Sequence, residues 1–69
     1  MDRNLSYYLS LKYPVEVIHE PGGVFVSHPD LNGCAAQGDT VEEALSNLEA
    51  ARKLLLQVRI EDGLPVQEP

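Results

Sequence analysis

The chain has few of the features that stabilise a very small protein. Among its 69 residues there are one cysteine and no tryptophan. No internal disulfide can therefore form, and one Cys with two His does not supply a structural zinc site. A chain of this length buries only roughly 60% of the surface that it exposes when unfolded. We therefore expect self-association, as a homodimer or a higher homo-oligomer.

Long hydrophobic runs and positive charge are also scarce. No segment approaches the ~18 consecutive apolar residues of a membrane span, and residues 1–4 lack the basic and apolar regions of a signal peptide. With the lone thiol, these absences predict a cytoplasmic protein without membrane contact. Five Lys and Arg against eleven Asp and Glu give a net charge of −6. This balance disfavours direct nucleic-acid binding, and it either favours a basic protein partner or serves solubility alone.

The order of patterns along residues 1–69 predicts a single α+β domain. Alternating apolar residues predict a half-buried strand over Tyr13–Glu20, with the residues before it extended. A Pro-Gly-Gly turn returns the chain as a second strand over Val24–His28. The turn Pro29–Gly33 then leads to a third strand over Cys34–Gln37. Together these segments predict a three-stranded antiparallel meander.

One long helix is predicted after the meander, from about Val41 to Glu61. Thr40 followed three positions later by Glu43 is a capping box, and Gly63 is a typical left-handed cap after the helix. Apolar residues cover nearly half of the helix circumference. They are Ala44, Leu45, Leu48, Ala51, Leu54, Leu55, Leu56 and Val58. Either a curved sheet uses this whole arc, or a twin subunit or another protein covers the excess.

The two ends of the chain carry weaker patterns. Leu64–Val66 is expected to be extended, as a candidate short fourth strand at the sheet edge. Residues 1–6 and 67–69 are expected to be loose termini. Arg52, Lys53 and Arg59 are expected on an exposed helix face, where they either form a small basic patch or serve solubility and ion pairing.

No catalytic or metal-binding constellation is evident in the sequence. Cys34 lacks the local signature of a thiol enzyme and is interpreted as a compact core residue, with His28 as a hydrogen-bonded structural histidine. A two-metal site needs acids that converge from separate elements. Several carboxylates already have local explanations, since Asp39, Glu42 and Glu43 suit a helix start and Asp30 suits a turn. We therefore predict no metal and no cofactor.

Five segments of the sequence, in this order and spacing, resemble one protein family. They are Tyr13-Pro14, Gly22–Ser27, Pro29–Cys34, Gln37–Leu45 and Glu61–Pro65. This combination resembles the HicB antitoxin domain over about residues 13–68. The resemblance implies a βββα fold similar to a truncated ribonuclease H fold without its catalytic acids. It also implies a partner, the small basic mRNA-cleaving toxin HicA, which HicB proteins neutralise by direct masking.

Two features of the sequence depart from the family pattern. Asn32 stands where the family loop usually has proline, a change that keeps the turn. Many members also carry a C-terminal DNA-binding segment, and because the chain stops at Pro69, autorepression by this polypeptide alone is not expected.

We therefore predict a non-enzymatic antitoxin domain. Its candidate partner contacts are the acids Glu42, Glu43 and Glu49 and the loop residues Asp30, Leu31 and Asn32. The alternative is a solitary self-associating structural module without a toxin partner. The third hypothesis, hydrolysis of RNA by this chain itself, ranks last. It is tested by incubating the pure protein with RNA and a divalent metal, with and without Glu16→Gln.

Overall fold

The computed structural model describes residues 4–69 as three antiparallel strands between two helices. The elements are α1 (Leu5–Ser10), β1 (Glu16–Glu20), β2 (Gly23–Ser27), β3 (Ala35–Gly38) and α2 (Val41–Glu61). The strands form one sheet in the order β1-β2-β3. This confirms the α+β class and the βββα arrangement, and α2 has the predicted bounds.

The short helix α1 corrects the prediction that the residues before Tyr13 are extended. Asn4 caps it, because its side chain accepts a hydrogen bond from the backbone N–H of Tyr7 at 3.1 Å. Leu5, Tyr8 and Leu9 have the three- and four-residue spacing of a helix face, and Tyr8 is buried. The residues from Leu9 to Tyr13 also alternate, and that overlapping period led to the wrong interpretation.

Strand β1 is shorter and more exposed than the predicted half-buried strand. It begins at Glu16, and all five of its residues are exposed. The cause is the position of α2, which packs mainly on β3 and less on β2. As the edge strand, β1 extends beyond the helix, so its apolar side chains do not reach the core.

The central strand β2 carries the buried face of the sheet. Val24 and Val26 point towards α2 and are buried, whereas Phe25 lies on the opposite, open face. Phe25 pairs with Ile18 of β1 and with Gln37 of β3. Because paired residues point to the same side of a sheet, these three side chains form one row across the open face.

Helix α2 uses only part of its apolar arc against the rest of the chain. The buried residues are Ala44, Leu48, Arg52 and Leu56. Leu45, Leu54 and Val58 remain exposed, and Leu54 is 63% exposed. The sheet therefore does not cover the whole arc, which rules out that alternative. Coverage by a second protein surface stays a prediction.

The end of α2 follows the predicted cap, whereas the tail differs from expectation. Gly63 has a φ of 68°, and the N–H of Leu64 donates to the carbonyl of Arg59 at 2.8 Å. This is the hydrogen bond of a Schellman cap. The segment Leu64–Val66 forms no fourth strand within residues 4–69.

Residues 67 and 68 are held by hydrogen bonds from the N-terminal half of the chain. The Tyr13 hydroxyl donates to the Gln67 carbonyl at 2.7 Å, and the Tyr7 hydroxyl donates to Glu68 at 3.0 Å. This differs from the loose C-terminus that we expected. At the other end, residues 1–3 lie outside the described part of the chain, and Leu5 and Ser6 belong to α1. No helix within residues 4–69 has both the length and the apolar character to cross a bilayer.

Candidate partner-binding surface

The loop between β2 and β3 is anchored by one of its predicted contact residues. Leu31 is only 3% exposed. Its N–H donates to the His28 carbonyl and its carbonyl accepts from the N–H of Cys34, both at 3.0 Å. Its side chain therefore packs mainly in the core, and its place among the candidate contacts stays a prediction. Asn32 is exposed and Asp30 half-buried.

His28 has the structural role that the sequence predicted. It is 6% exposed, and its Nδ1 forms a hydrogen bond with the carbonyl of Pro14 at 2.9 Å. Its ring centroid lies 6.0 Å from that of Tyr13. Burial, together with the nearby charge of Glu68, raises the pKa of the Tyr13 hydroxyl. The pair ties β2 to the segment that precedes β1.

The start of α2 presents acids at one end of the molecule. The Thr40 hydroxyl accepts from the N–H of Glu43 at 3.1 Å, as predicted. The return bond differs slightly, since the Glu43 carboxylate accepts from the N–H of Asp39 at 3.3 Å and not from that of Thr40. Glu42 and Glu43 are both exposed in the first turn. Asp39 lines a shallow groove together with Glu20 of the β1–β2 hairpin.

Gly38 sets the distance between this helix start and the sheet. A Cβ at Gly38 would lie 2.5 Å from the backbone nitrogen of Ala44. Only glycine therefore lets the first turn of α2 approach β3 so closely. This contact fixes where Glu42 and Glu43 stand relative to the sheet.

Glu49 is already paired within the chain. Its two carboxylate oxygens each accept from Nη2 of Arg52 at 2.7 Å. Arg52 is buried, and this corrects the prediction that it lies on an exposed helix face. Its Nη1 contacts the Leu11 carbonyl at 3.5 Å, and its Nε has no hydrogen-bond partner within residues 4–69.

Cys34 is a core residue, as the sequence predicted. It is 3% exposed and unpaired. Burial raises the pKa of its thiol; Arg52 lowers that pKa and Glu49 raises it, both by smaller amounts. The thiolate is the nucleophilic form of cysteine, so the environment works against nucleophilic chemistry at this position. Within residues 4–69, no three His, Cys, Asp or Glu side chains converge in a way that could hold a metal ion.

Two groups of predicted contacts lie near opposite ends of α2, with Glu49 between them. Asn32 and Leu31 line a groove with Arg59 and the tail, whereas Glu42 lies in the first turn of the helix. At 1.5 Å per residue, the stretch of α2 from Glu42 to Arg59 spans roughly 25 Å. One small pocket therefore cannot include both groups, and which of them contacts a partner stays a prediction.

The charge distribution joins the acids at the start of α2 to those of the sheet. Residues 13–51, which comprise all three strands and the first half of α2, contain no Lys or Arg. This segment has seven acidic residues: Glu16, Glu20, Asp30, Asp39, Glu42, Glu43 and Glu49. We call the sheet and this half of α2 the acidic half.

The sequence interpretation missed the exposed apolar side chains of the sheet. Ile18 is 42% exposed and stands between Glu16 and Glu20 on the open face, beside Phe25. A signal was present, because an acid-apolar-acid alternation fits an exposed edge strand as well as a half-buried one. The missing information was the position of α2 over β2 and β3.

These features define a class of protein: a small α+β domain with an open sheet face and an acidic half. Comparison with known proteins gives the family. A model of the HicB-like antitoxins of bacterial toxin–antitoxin systems matches residues 13–69, and the chain belongs to this family. Helix α1 lies N-terminal to the matched region.

Two curated relatives, both from Synechocystis sp., have similar sequences. UPF0150 protein ssl0738 is 41% identical over 49 residues, which are 67% of this chain and 68% of that protein. UPF0150 protein ssr1765 is 42% identical over 45 residues, which are 65% of this chain and 57% of that protein. The chain thus spans little more than half the length of the second relative. No solved structure matches the chain significantly.

Proposed function

We propose that this chain neutralises a small basic HicA-type toxin by covering the toxin's RNA-cleaving surface, and that it performs no bond chemistry itself. The supporting observation is the acidic half, in which seven acids occur without a single Lys or Arg. Its membership of the HicB-like antitoxins gives an antitoxin role in general. The toxin type and the masking mode are the proposal.

In this proposal, charge mainly raises the rate at which the chain and the toxin associate. A surface of one sign attracts a partner of the opposite sign and speeds association, and salt weakens that attraction. The same acids disfavour phosphate, so the proposed ligand is a protein and not the toxin's RNA. Binding should therefore become slower, but not disappear, as ionic strength rises.

Apolar contact slows the dissociation of the proposed complex. The row of Ile18, Phe25 and Gln37 crosses the open face of the sheet, with Glu16 and Glu20 on either side of Ile18 in β1. An apolar centre with a charged rim is the usual anatomy of a protein–protein interface. We place the toxin on the acidic half, with Glu42 and Glu43 as rim contacts.

Two charge reversals distinguish the two groups of predicted contacts. Glu42→Lys changes the first turn of α2, and Asp30→Lys changes the β2–β3 loop near the other end of α2. Glu61→Lys is a matched control, since it makes the same charge change on the same helix outside residues 13–51. We expect Glu42→Lys to slow association with a HicA-type toxin several-fold, and the other two variants to have small effects. A larger effect of Asp30→Lys would move the interface to the loop.

The cellular experiment tests the function itself. A HicA-type toxin encoded beside this chain, or that of a close homologue, is expressed with and without the antitoxin chain. We expect co-purification of the two proteins and rescue of growth. Failure of both would remove the proposal.

A solitary self-associating module is the second candidate, and the exposed apolar residues of α2 favour it. Leu54 and Val58 are 63% and 44% exposed and lie one helical turn apart. In that case, the purified chain would form a stable oligomer and no basic protein would co-purify with it.

A further inference from the structure

The two edges of the sheet are treated differently in this fold. At the β3 edge, the Asn47 side chain donates to the Gln37 carbonyl at 2.8 Å, so α2 occupies a backbone group of that edge. At the other edge, β1 pairs within residues 4–69 only with β2, and all five of its residues are exposed. Proteins usually protect such edges with short strands, charged side chains (lysine above all), proline, a bulge or a covering element. Strand β1 has no lysine, proline or bulge between Glu16 and Glu20, and its only carboxylates stand at its two ends, which leaves Val17–His19 without an acid.

The direction of the β1 backbone groups follows from the pairing in the rest of the sheet. The N–H of His28 donates to the carbonyl of Cys34 at 3.1 Å. In an antiparallel ladder, hydrogen-bonded pairs alternate with non-bonded pairs. The pair Val26–Ala36 is therefore hydrogen-bonded, whereas Phe25 directs its backbone groups to β1.

The same alternation assigns the free edge. Phe25 exchanges hydrogen bonds with Ile18, its partner in β1. The neighbouring residues Val17 and His19 must then direct their N–H and C=O groups away from β2. Because these groups point to the open side of an edge strand, they are available to another strand.

Apolar side chains accompany these free groups. Val15 and Val17 are 43% and 40% exposed. Val17 stands beside Val26, which is completely buried, on the side of the sheet that faces α2. A strand added at this edge would cover Val17, and the apolar layer between the sheet and α2 would then extend to β1.

We infer that the β1 edge binds a second copy of this chain, as an antiparallel two-fold pair centred on Val17. In this register, Val17 faces Val17 of the second copy, and Val15 faces His19. The residues with outward backbone groups then bond to each other. The result is a continuous six-stranded sheet with both α2 helices on the same face, since paired residues point to the same side.

The charge pattern of β1 selects this register over its nearest competitor. A two-fold pair centred on Ile18 would place Glu16 directly opposite Glu20, twice, and like charges directly opposite each other are destabilising. The pair centred on Val17 places Glu16 opposite Ile18. It therefore separates the carboxylates while it retains the backbone bonds.

Dimerisation through β1 leaves the first turn of α2 accessible to a partner. Residues Glu42 and Glu43 belong to an element that packs mainly on β3, the strand farthest from β1. Self-association through β1 is therefore compatible with a partner at the start of α2, and the inference stands whether or not a toxin binds.

Charge introduction at the centre of the edge tests the interface. Val17→Lys would place two ammonium groups opposite each other at the two-fold axis. Leu54→Lys is the control, because it introduces the same charge at an exposed apolar position of α2. Sedimentation equilibrium of the full chain should give a dimer for the parent and for Leu54→Lys, and a monomer for Val17→Lys. Circular dichroism establishes that each variant is folded.

Three results of this experiment would overturn the inference. They are a monomeric parent chain at about 100 µM, a dimer that survives Val17→Lys, and a dimer that Leu54→Lys dissociates. If the parent is monomeric and Val17→Lys weakens toxin binding instead, the edge serves a strand of the partner and not a second copy.

Cysteine crosslinking tests the register without relying on a charged variant. Hydrogen-bonded antiparallel pairs have Cα atoms ~5.5 Å apart, within the Cα–Cα range of a disulfide, and a small shift of the two edge strands brings the Cβ atoms within bonding distance. Under mild oxidation, Val17→Cys should therefore form a covalent dimer. Ile18→Cys should not, because the two copies of residue 18 would be diagonal neighbours roughly 8 Å apart. Native Cys34 is buried in both variants, and the reverse crosslinking pattern would contradict the register.

Discussion

Arg52 and Glu49 form an ion pair in which the cation is buried and the anion is largely exposed. Their side chains are 11% and 63% exposed, respectively, and Nη2 of Arg52 lies 2.7 Å from the carboxylate. The pair joins α2 to the segment after α1, since Arg52 Nη1 also contacts the Leu11 carbonyl. Glu49 therefore stabilises a buried charge, and this is a role in folding before any role in partner binding.

Glu49→Gln is expected to destabilise the chain, because it leaves Arg52 without its anion. Hydrogen bonds to charged groups contribute about 1.5–3 kcal/mol. We expect a loss in that range and below the ~3–5 kcal/mol of a fully buried pair, because water reaches the Glu49 carboxylate. Urea unfolding followed by circular dichroism measures it.

The control separates the ion pair from a general charge effect. Glu61→Gln removes an exposed carboxylate from the same helix and should change stability by less than ~0.5 kcal/mol. The double variant Glu49→Gln/Arg52→Met should recover part of the loss, since no buried cation remains. An equal loss for Glu49→Gln and Glu61→Gln would refute the role of the pair.

Thr40→Ala is expected to lower stability by about 1 kcal/mol, since the free N–H of Glu43 loses its acceptor. Ser46→Ala is a suitable comparison, because it deletes an exposed hydroxyl further along the same helix. That variant should be neutral or slightly stabilising, given the helix propensity of alanine. Thermal unfolding of the three proteins decides the matter, and a Thr40→Ala protein as stable as the parent would show that the cap contributes nothing.

Gly38→Ala is expected to destabilise the contact between β3 and α2. The added Cβ would lie 2.5 Å from the Ala44 nitrogen, a backbone atom that moves only with the helix. Overpacking of this kind costs about 1–3 kcal/mol. Gly22→Ala is the matched control, since a Cβ there meets nothing within 4 Å. Chemical denaturation should separate the two variants clearly, and equal stabilities would contradict the close approach.

Stability is expected to fall at alkaline pH through Cys34 and Tyr13. Burial raises the pKa of both groups in the folded chain. The unfolded chain then loses these protons first, so stability decreases as pH rises above about 8.5, the ordinary range of a free thiol. Below that pH, both groups are protonated in both states, and the stability is fully present.

Cys34→Ala isolates the thiol. Measured between pH 8 and pH 10, its stability should decline less steeply than that of the parent, although its absolute stability is lower because a core side chain has been trimmed. Parallel pH profiles for the two proteins would argue against a buried thiol with a raised pKa.

Local signals in the sequence were sufficient for α2 and for the β1–β2 turn. The Thr40 cap, the Gly63 cap and the Pro-Gly-Gly turn each depend on neighbouring residues only, and the structure has all three where they were predicted. The burial of Cys34 was also predicted, from its small side chain, and His28 was predicted as a hydrogen-bonded structural histidine.

Features that depend on packing were not predictable from the sequence in the same way. Asn4 could have indicated the start of α1, but the alternation from Leu9 onwards favoured a strand. The exposure of β1 depends on where α2 lies across the sheet, which no local pattern records. Arg52 was assigned to the surface by its type, yet a long cation can be buried when an acid stands three positions before it, as Glu49 does.

The most direct test of the central claim is a stoichiometric titration of toxin activity. A purified HicA-type toxin cleaves an mRNA substrate in the presence of increasing amounts of the full chain. If the chain acts by covering the toxin, cleavage should decrease linearly and end near a fixed molar ratio, and Glu42→Lys should weaken the inhibition more than Glu61→Lys. Undiminished cleavage at a molar excess of the folded chain, or cleavage of RNA by the chain alone, would contradict the account.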